Sequence, residues 1–230
     1  MTSFTIQPVI LTTPSRRNQY VNEIIKSLSV TDKIETPIVY EDSHMDGAAV
    51  STRNAINLAA ERGGHVLFLE DDIIVAPDAL KIIPEVIFPE NVGVISFCDM
   101  REIKEFSPNG LYICSALGSD QRGWWGNQAI LIHRDIVKIL SRQDWFDREI
   151  ENSRGVRAHI ESYCDAGSNC SDIRLSLIVN KHGGARNHYA VFVPSLFKHV
   201  GHESVCFPGR GMGERETRNW IEDRKKYGID

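Results

Sequence analysis

The sequence predicts an α/β fold, a mixed and mostly parallel sheet flanked by helices, from three observations. Strand-like apolar runs alternate with helix-period segments through the first half of the chain. The third of those runs, residues 65–69, is apolar almost throughout, as expected of a strand covered on both faces. Hydroxyl, proline and glycine residues stand where helices should start and stop.

Taken in order, Ile6–Thr12 reads as the first strand. Thr13 is an N-cap, Pro14 sets the first helical position, and Val21, Ile24, Ile25 and Leu28 form one helical face. Residues 37–40 make a short second strand that ends at Glu41-Asp42. A second helix runs from near Asp46 to the Gly63-Gly64 stop, with Ala49, Arg53, Ile56 and Ala60 on a common face. The third strand, 65–69, follows. Further on, 92–97, 111–116, 128–132 and 189–193 read as strands, and Arg134–Leu140 and 171–180 as helices, the latter closed by Gly183-Gly184. Residues 107–110, 118–126 and 166–169 read as loops.

A length of 230 residues suits one core, and no repeat or linker divides it. The expected organisation is a single catalytic domain over 1–208, with a charged helix or arm over 209–230. A hydrophobic content of 42% with 25% charged residues excludes a disordered chain. The net charge of −5 gives no general pull towards nucleic acid or anionic membrane. The N-terminus lacks a signal-peptide pattern, and no run reaches the roughly 20 apolar residues of a membrane span. Cys98, Cys114, Cys164, Cys170 and Cys206 are odd in number and suit reduced thiols. Cys164 and Cys170 lack the second ligand pair that a structural zinc site needs.

The chemistry concentrates at Glu70-Asp71-Asp72, delivered by the third strand to its C-terminal end, where open α/β sheets bind ligands. Three adjacent carboxylates repel one another unless solvated or offset by a cation. Their hard oxygens suit Mg²⁺ or Mn²⁺ shared with a diphosphate. A solvated acidic turn is the competing account.

Around this motif the chain resembles GT-A glycosyltransferases, especially the inverting N-acetylglucosaminyltransferase-like group whose metal motif reads Glu-Asp-Asp. The matching pieces are Ile10-Leu11-Thr12-Thr13 with Arg16-Arg17, then Arg53-Asn54, then Phe68-Leu69-Glu70-Asp71-Asp72-Ile73. They continue with Trp125-Gly126-Asn127-Gln128 and the apolar run after it, Ser171-Asp172, and the segment from Val193 through His199 to Ser204. Together they span about residues 4–206 in the family's order.

The resemblance implies a GT-A, Rossmann-like domain, with a nucleotide-sugar half over about 1–100 and an acceptor half over 101–208. It implies a UDP-sugar donor, a divalent cation and inverting transfer to a hydroxyl on a glycan or small molecule. Asp72 would ligate the metal, with Glu70 and Asp71 on the ribose or the metal's water shell. Thr12, Thr13, Arg16, Glu41 and Asp42 would hold the nucleoside, and Arg53 would meet the diphosphate. An ordinary surface arginine paired with an acid competes for Arg53. His199 is a second metal ligand or a structural hydrogen-bonding group, with His202 a weaker candidate. Asp172 is the expected base, although an Asp in a helix's first turn also complements the macrodipole. Glu161 and Asp165 are its reserves. Trp124, Trp125, Gly126 and Asn127 would face sugar or acceptor, with core packing the alternative for the tryptophans.

Other classes fit less well. No strand-borne glycine loop cradles phosphate, and no Gly-x-Ser-x-Gly elbow is present. The first-strand loop Thr12-Thr13-Pro14-Ser15-Arg16-Arg17 is not the glycine- and lysine-rich loop of a nucleotidyltransferase. An inactive nucleotide-sugar-binding module is the non-enzymatic rival. With no membrane anchor in the sequence, a cytoplasmic enzyme of a bacterium or a virus-infected cell is expected. Glycosylation of a hydroxymethylated DNA base is the alternative acceptor chemistry. The tail mixes Arg215, Arg218, Lys225 and Lys226 with Glu214, Glu216, Glu222 and Asp223, which argues against strong binding to plain duplex.

Overall fold

The computed structural model describes residues 5–17, 21–28, 32–98, 107, 109–114, 127–163, 170–200, 217 and 220. In chain order the first elements are β1 (Ile6–Thr12), α1 (Asn22–Ser27), β2 (Ile38–Glu41), α2 (Ala48–Ala60), β3 (His65–Glu70), β4 (Ile73–Val75) and α3 (Ala79–Ile82). After them come β5 (Val92–Ser96), β6 (Leu111–Cys114), β7 (Ala129–Ile132), α4 (Arg134–Leu140), α5 (Arg148–Glu151) and α6 (Arg154–Tyr163). The last are α7 (Ser171–His182), β8 (His188–Phe192) and β9 (Phe197–His199).

A seven-stranded sheet of order β2-β1-β3-β7-β5-β8-β6 forms the centre. Strands β1, β2, β3, β5 and β8 run one way, and β7 and β6 run against them. This is the mixed, mostly parallel α/β sheet read from the sequence, consistent with the Rossmann-like expectation. Its period-two pattern separates two cores. Ile6, Ile10, Leu67, Leu69, Ala129 and Leu131 face one side, with α1 and α3. Val9, Val66, Phe68, Ile130 and Ile132 face the other, with α2, α4 and α7.

Pro8 lies inside a central strand, where a missing N–H normally breaks a ladder. Here the pairing of β1 with β2 begins only at Val9. Before it, Ile6 N donates to Lys33 O (2.7 Å) and Glu35 N to Ile6 O (2.9 Å). In the gap the Gln7 side chain donates to Thr36 O (2.9 Å). The proline therefore costs the sheet little.

Several sequence boundaries shift. The α-helix proper begins at Asn22, and the expected start at Thr13-Pro14 forms a helical turn ahead of it, in which Thr13 O accepts from Arg17 N; residues 18–20 lie outside the described residues. Val21, Ile24 and Leu28 are buried as expected, but Ile25 is exposed. Helix α2 starts at Ala48 behind Gly47, whose φ of 96° is a left-handed conformation suited to glycine. Gly64 ends the same unit, and a side chain there would meet Thr5 O at 2.5 Å. The short helices α3, α5 and α6 carry no predicted counterpart. Asp147, which caps α5 by accepting from Glu149 N (2.7 Å) and Ile150 N (2.9 Å), was the readable signal for α5.

The second sheet is the larger surprise. Strands β4 and β9 pair antiparallel, with Ile73 opposite His199. Two residues of the charged tail, Thr217 and Trp220, are buried, Trp220 in the core beside Leu196 and Phe197. The loops at 118–126 and 166–169 lie outside the described residues. Cys98, Cys114 and Cys170 are buried, and Cys98 Sγ lies 3.3 Å from Thr217 Oγ1. Among the described residues no helix is long and apolar enough to cross a membrane.

Candidate functional site

The site is built at the C-terminal ends of β1, β2 and β3. Beyond β1 the chain reverses at Thr13-Pro14-Ser15-Arg16. Thr13 O accepts from Arg16 N and from Arg17 N, both at 3.0 Å. Proline at the second position pre-sets the backbone for such a turn. The reversal carries Arg16 back over the end of β3. There Arg16 Nη1 lies 3.2 Å from Asp71 Oδ1 and 3.0 Å from Asp72 Oδ2. Thr12, the last residue of β1, donates its hydroxyl to Asp71 Oδ2 at 2.6 Å.

The β4–β9 hairpin-like pair closes the opposite side. Its register sets His199 Nε2 at 3.2 Å from Asp72 Oδ2, while Val200 N donates to Asp72 O at 2.8 Å. His199 is held in turn by its own N–H, which donates to Thr217 Oγ1 at 3.0 Å. Asp71, Asp72 and His199 are only 5%, 6% and 7% exposed, so charge here is shielded from water. Burial pushes the Asp71 carboxyl above its ordinary value, against the pull of Thr12 and Arg16. For Asp72 burial also works against ionisation, but His199 and Arg16 overcome it and hold the group below its ordinary value. The two adjacent carboxylates are thereby split, with Asp72 the committed anion.

Two buried atoms of this cluster, Asp72 Oδ1 and His199 Nδ1, have no hydrogen-bond partner among the described residues. Buried polar atoms usually have a hydrogen-bond partner, whether protein, water or an ion. Among the described residues no group of three or more His, Cys, Asp or Glu side chains is arranged to enclose a metal ion. The protein's share of a divalent site would be Asp72 with His199 beside it. That donor set fits Mg²⁺ or Mn²⁺ where a ligand's phosphates complete the coordination.

At the end of β2, Glu41 pairs with Arg17 at 2.8 Å on the surface. Asp42 behaves differently. Its carboxylate accepts from Ser51 Oγ (2.6 Å) and from Asp46 N (3.1 Å), and its N–H donates to Thr12 O (2.8 Å). Both oxygens are engaged within the protein, where they shape the 42–47 loop and the start of α2. Glu70 donates its N–H to Gln128 O (2.9 Å), which joins β3 to the start of β7.

Arg53 is half-buried on α2, with its guanidinium 5.5 Å from the centre of the Phe146 ring. Arg174 lies 4.4 Å from the same ring, wholly buried, and is neutralised by Glu151 at 2.9 Å and Trp145 O at 2.7 Å. Among the described residues Arg53 has a cation–π contact and no acidic partner. Asn127 donates to Ser171 Oγ at 3.1 Å and ties the edge of β7 to the first turn of α7. Asp172, next to Ser171, is half-buried and accepts from Ile173 N at 2.8 Å. Glu161 is exposed on α6. Trp124, Trp125, Gly126, Asp165 and His202 lie outside the described residues.

The structure therefore unites Thr12, Arg16, Asp71, Asp72 and His199 in one bonded cluster. Asn127 meets Ser171, the neighbour of Asp172, at the first turn of α7. Sequence reasoning missed Thr217, the partner that fixes His199, and Gln128, whose buried Oε1 has no partner among the described residues. Nothing local marks Thr217. Gln128 stood next to Asn127 in the motif, and a polar residue at the mouth of an apolar strand was its only signal.

No family model matches the chain, and no curated protein does. Among solved structures it is similar to one described as a "glycosyltransferase involved in the glycosylation of the major capsid of PBCV-1". The two are 16% identical over 90% of this chain and 96% of that one, with a TM-score of 0.35. An overlap this shallow fixes neither fold nor chemistry, which rest on this chain's own strands and carboxylates.

Proposed function

We propose that this chain transfers a sugar from a nucleoside-diphosphate donor, a UDP-sugar first among them, to a hydroxyl acceptor with inversion of the anomeric carbon. One observation carries the reading. A buried cluster of Asp71, Asp72, Arg16 and His199 forms at the C-terminal end of a parallel sheet, with unsatisfied atoms on Asp72 and His199. A divalent cation held there by Asp72, with His199, would neutralise charge on the departing diphosphate.

The remaining work falls to side chains. Thr12, Thr13 and Glu41 border the nucleoside, and Arg16 and Arg53 offer guanidinium donors to phosphate. Asp172 takes the acceptor's hydroxyl proton as that oxygen bonds to the anomeric carbon. The bond from that carbon to the diphosphate breaks, and its electron pair leaves with the nucleoside diphosphate. The test is release of UDP from UDP-sugars with Mn²⁺ and with EDTA, followed by NMR of any product. Metal-dependent release and an inverted anomer support the reading; undiminished turnover in EDTA sinks its metal component.

A further inference from the structure

Arg16 and a divalent cation would serve the same carboxylate. The guanidinium lies 3.0 Å from Asp72 Oδ2 and 3.2 Å from Asp71 Oδ1, on a side chain 14% exposed. It is carried by the short 13–16 turn on the rim of the sheet. A phosphate anion arriving beside Asp72 offers that guanidinium a planar, bidentate partner of higher charge than a carboxylate. The carboxylates then lose their internal counter-ion at the moment a replacement cation is needed.

We infer that Arg16 is an exchangeable counter-ion: it holds Asp71 and Asp72 together until a nucleoside diphosphate draws it on to phosphate, which removes the positive charge that opposes a cation at Asp72. This rests on the nucleotide-sugar reading and adds an order to it. The nucleotide prepares the metal site, and the cation alone meets carboxylates already paired with a guanidinium. The device has a clear physical use. It keeps two adjacent buried carboxylates from being left without a positive neighbour, which would be costly. It also makes a free divalent ion a poor ligand.

Calorimetric titration separates the outcomes. Mn²⁺ alone, UDP alone in EDTA, and uridine alone are each titrated into wild-type protein and Arg16→Gln, with thermal melts to establish folding. Arg16→Gln should bind Mn²⁺ alone about tenfold more tightly than wild type, within the usual range of coupling between sites. The same variant should bind metal-free UDP more weakly, with uridine unaffected. Arg16→Lys, which keeps the charge but not the fork, should fall between the two and serves if the Gln variant fails to fold. Unchanged or weaker Mn²⁺ binding in the variant overturns the inference. Wild-type protein that binds neither UDP nor Mn²⁺ in any combination overturns the reading beneath it.

Discussion

The two ends of β3 solve the burial of titratable groups in opposite ways. At the N-terminal end His65 stacks on Phe88, ring centres 5.1 Å apart, and lies 4.8 Å from the His133 ring. Each imidazole accepts a backbone N–H through Nδ1, His65 from Arg134 (3.1 Å) and His133 from Asp135 (3.3 Å). Burial, with Arg186 nearby, pushes both down to about 4, and His133 adds to the push on His65, so both are neutral near pH 7. At the C-terminal end Asp72 keeps its charge, because Arg16 and His199 stand against it. A group that only caps a helix can shed its charge. Asp72 keeps its charge because the fold sets Arg16 and the His199 ring against it.

The sharpest way to break the comparison is Asp72→Asn. It should cut metal-dependent transfer by roughly 10³-fold, the reach of several kcal/mol of lost charge stabilisation, while the thermal midpoint holds or rises. Initial rates with saturating UDP-sugar and Mn²⁺ measure it, and wild-type rates would remove Asp72 from the chemistry. Next in size, Asp172→Asn should lower turnover by roughly 10²-fold with donor affinity little changed. An effect confined to KM would move the base elsewhere.

At the other end of β3 the expected effect is on stability alone. Each histidine is near 6.5 when unfolded and about 4 when folded, so the unfolded chain binds more protons between those values. Stability is full above pH 6.5 and is lost as pH falls towards 4, by at most about 3 kcal/mol per ring. Urea midpoints at pH 7 and pH 5 test this. His133→Asn keeps a capping acceptor without a proton to gain, and should flatten the difference. A wild-type midpoint that does not move with pH would show these rings are not the acid-sensitive groups. Smallest of all, Arg17→Ala removes the exposed pair with Glu41 and should cost no more than about 1 kcal/mol in the same assay.

The fold was legible where the signal is local. The continuous burial of β1 and β3, the helix face of α2 and the glycine stops follow from steric and hydrophobic rules that act within a dozen residues. The first helix was legible in part: Thr13-Pro14 forms a helical turn, and the packing of Val21, Ile24 and Leu28 settles where the α-helix proper runs. The candidate site was half legible. A triple carboxylate at a strand end announces itself. Asp42 looked equally available, yet its oxygens are consumed by Ser51 and Asp46, which no sequence pattern declares.

The sequence by itself determined that three carboxylates would emerge together from a buried parallel strand, since strand, run length and turn are all encoded locally. Only the tertiary structure decided which side chains meet them. Arg16 reaches Asp71 and Asp72 across 55 and 56 residues, and His199 reaches Asp72 through the pairing of β4 with β9. Thr217 then fixes His199 from a tail that reads as solvent-facing. Such contacts depend on register between distant segments, and a slip of one residue would turn each side chain to the other face. That choice is made by the packing of the whole core.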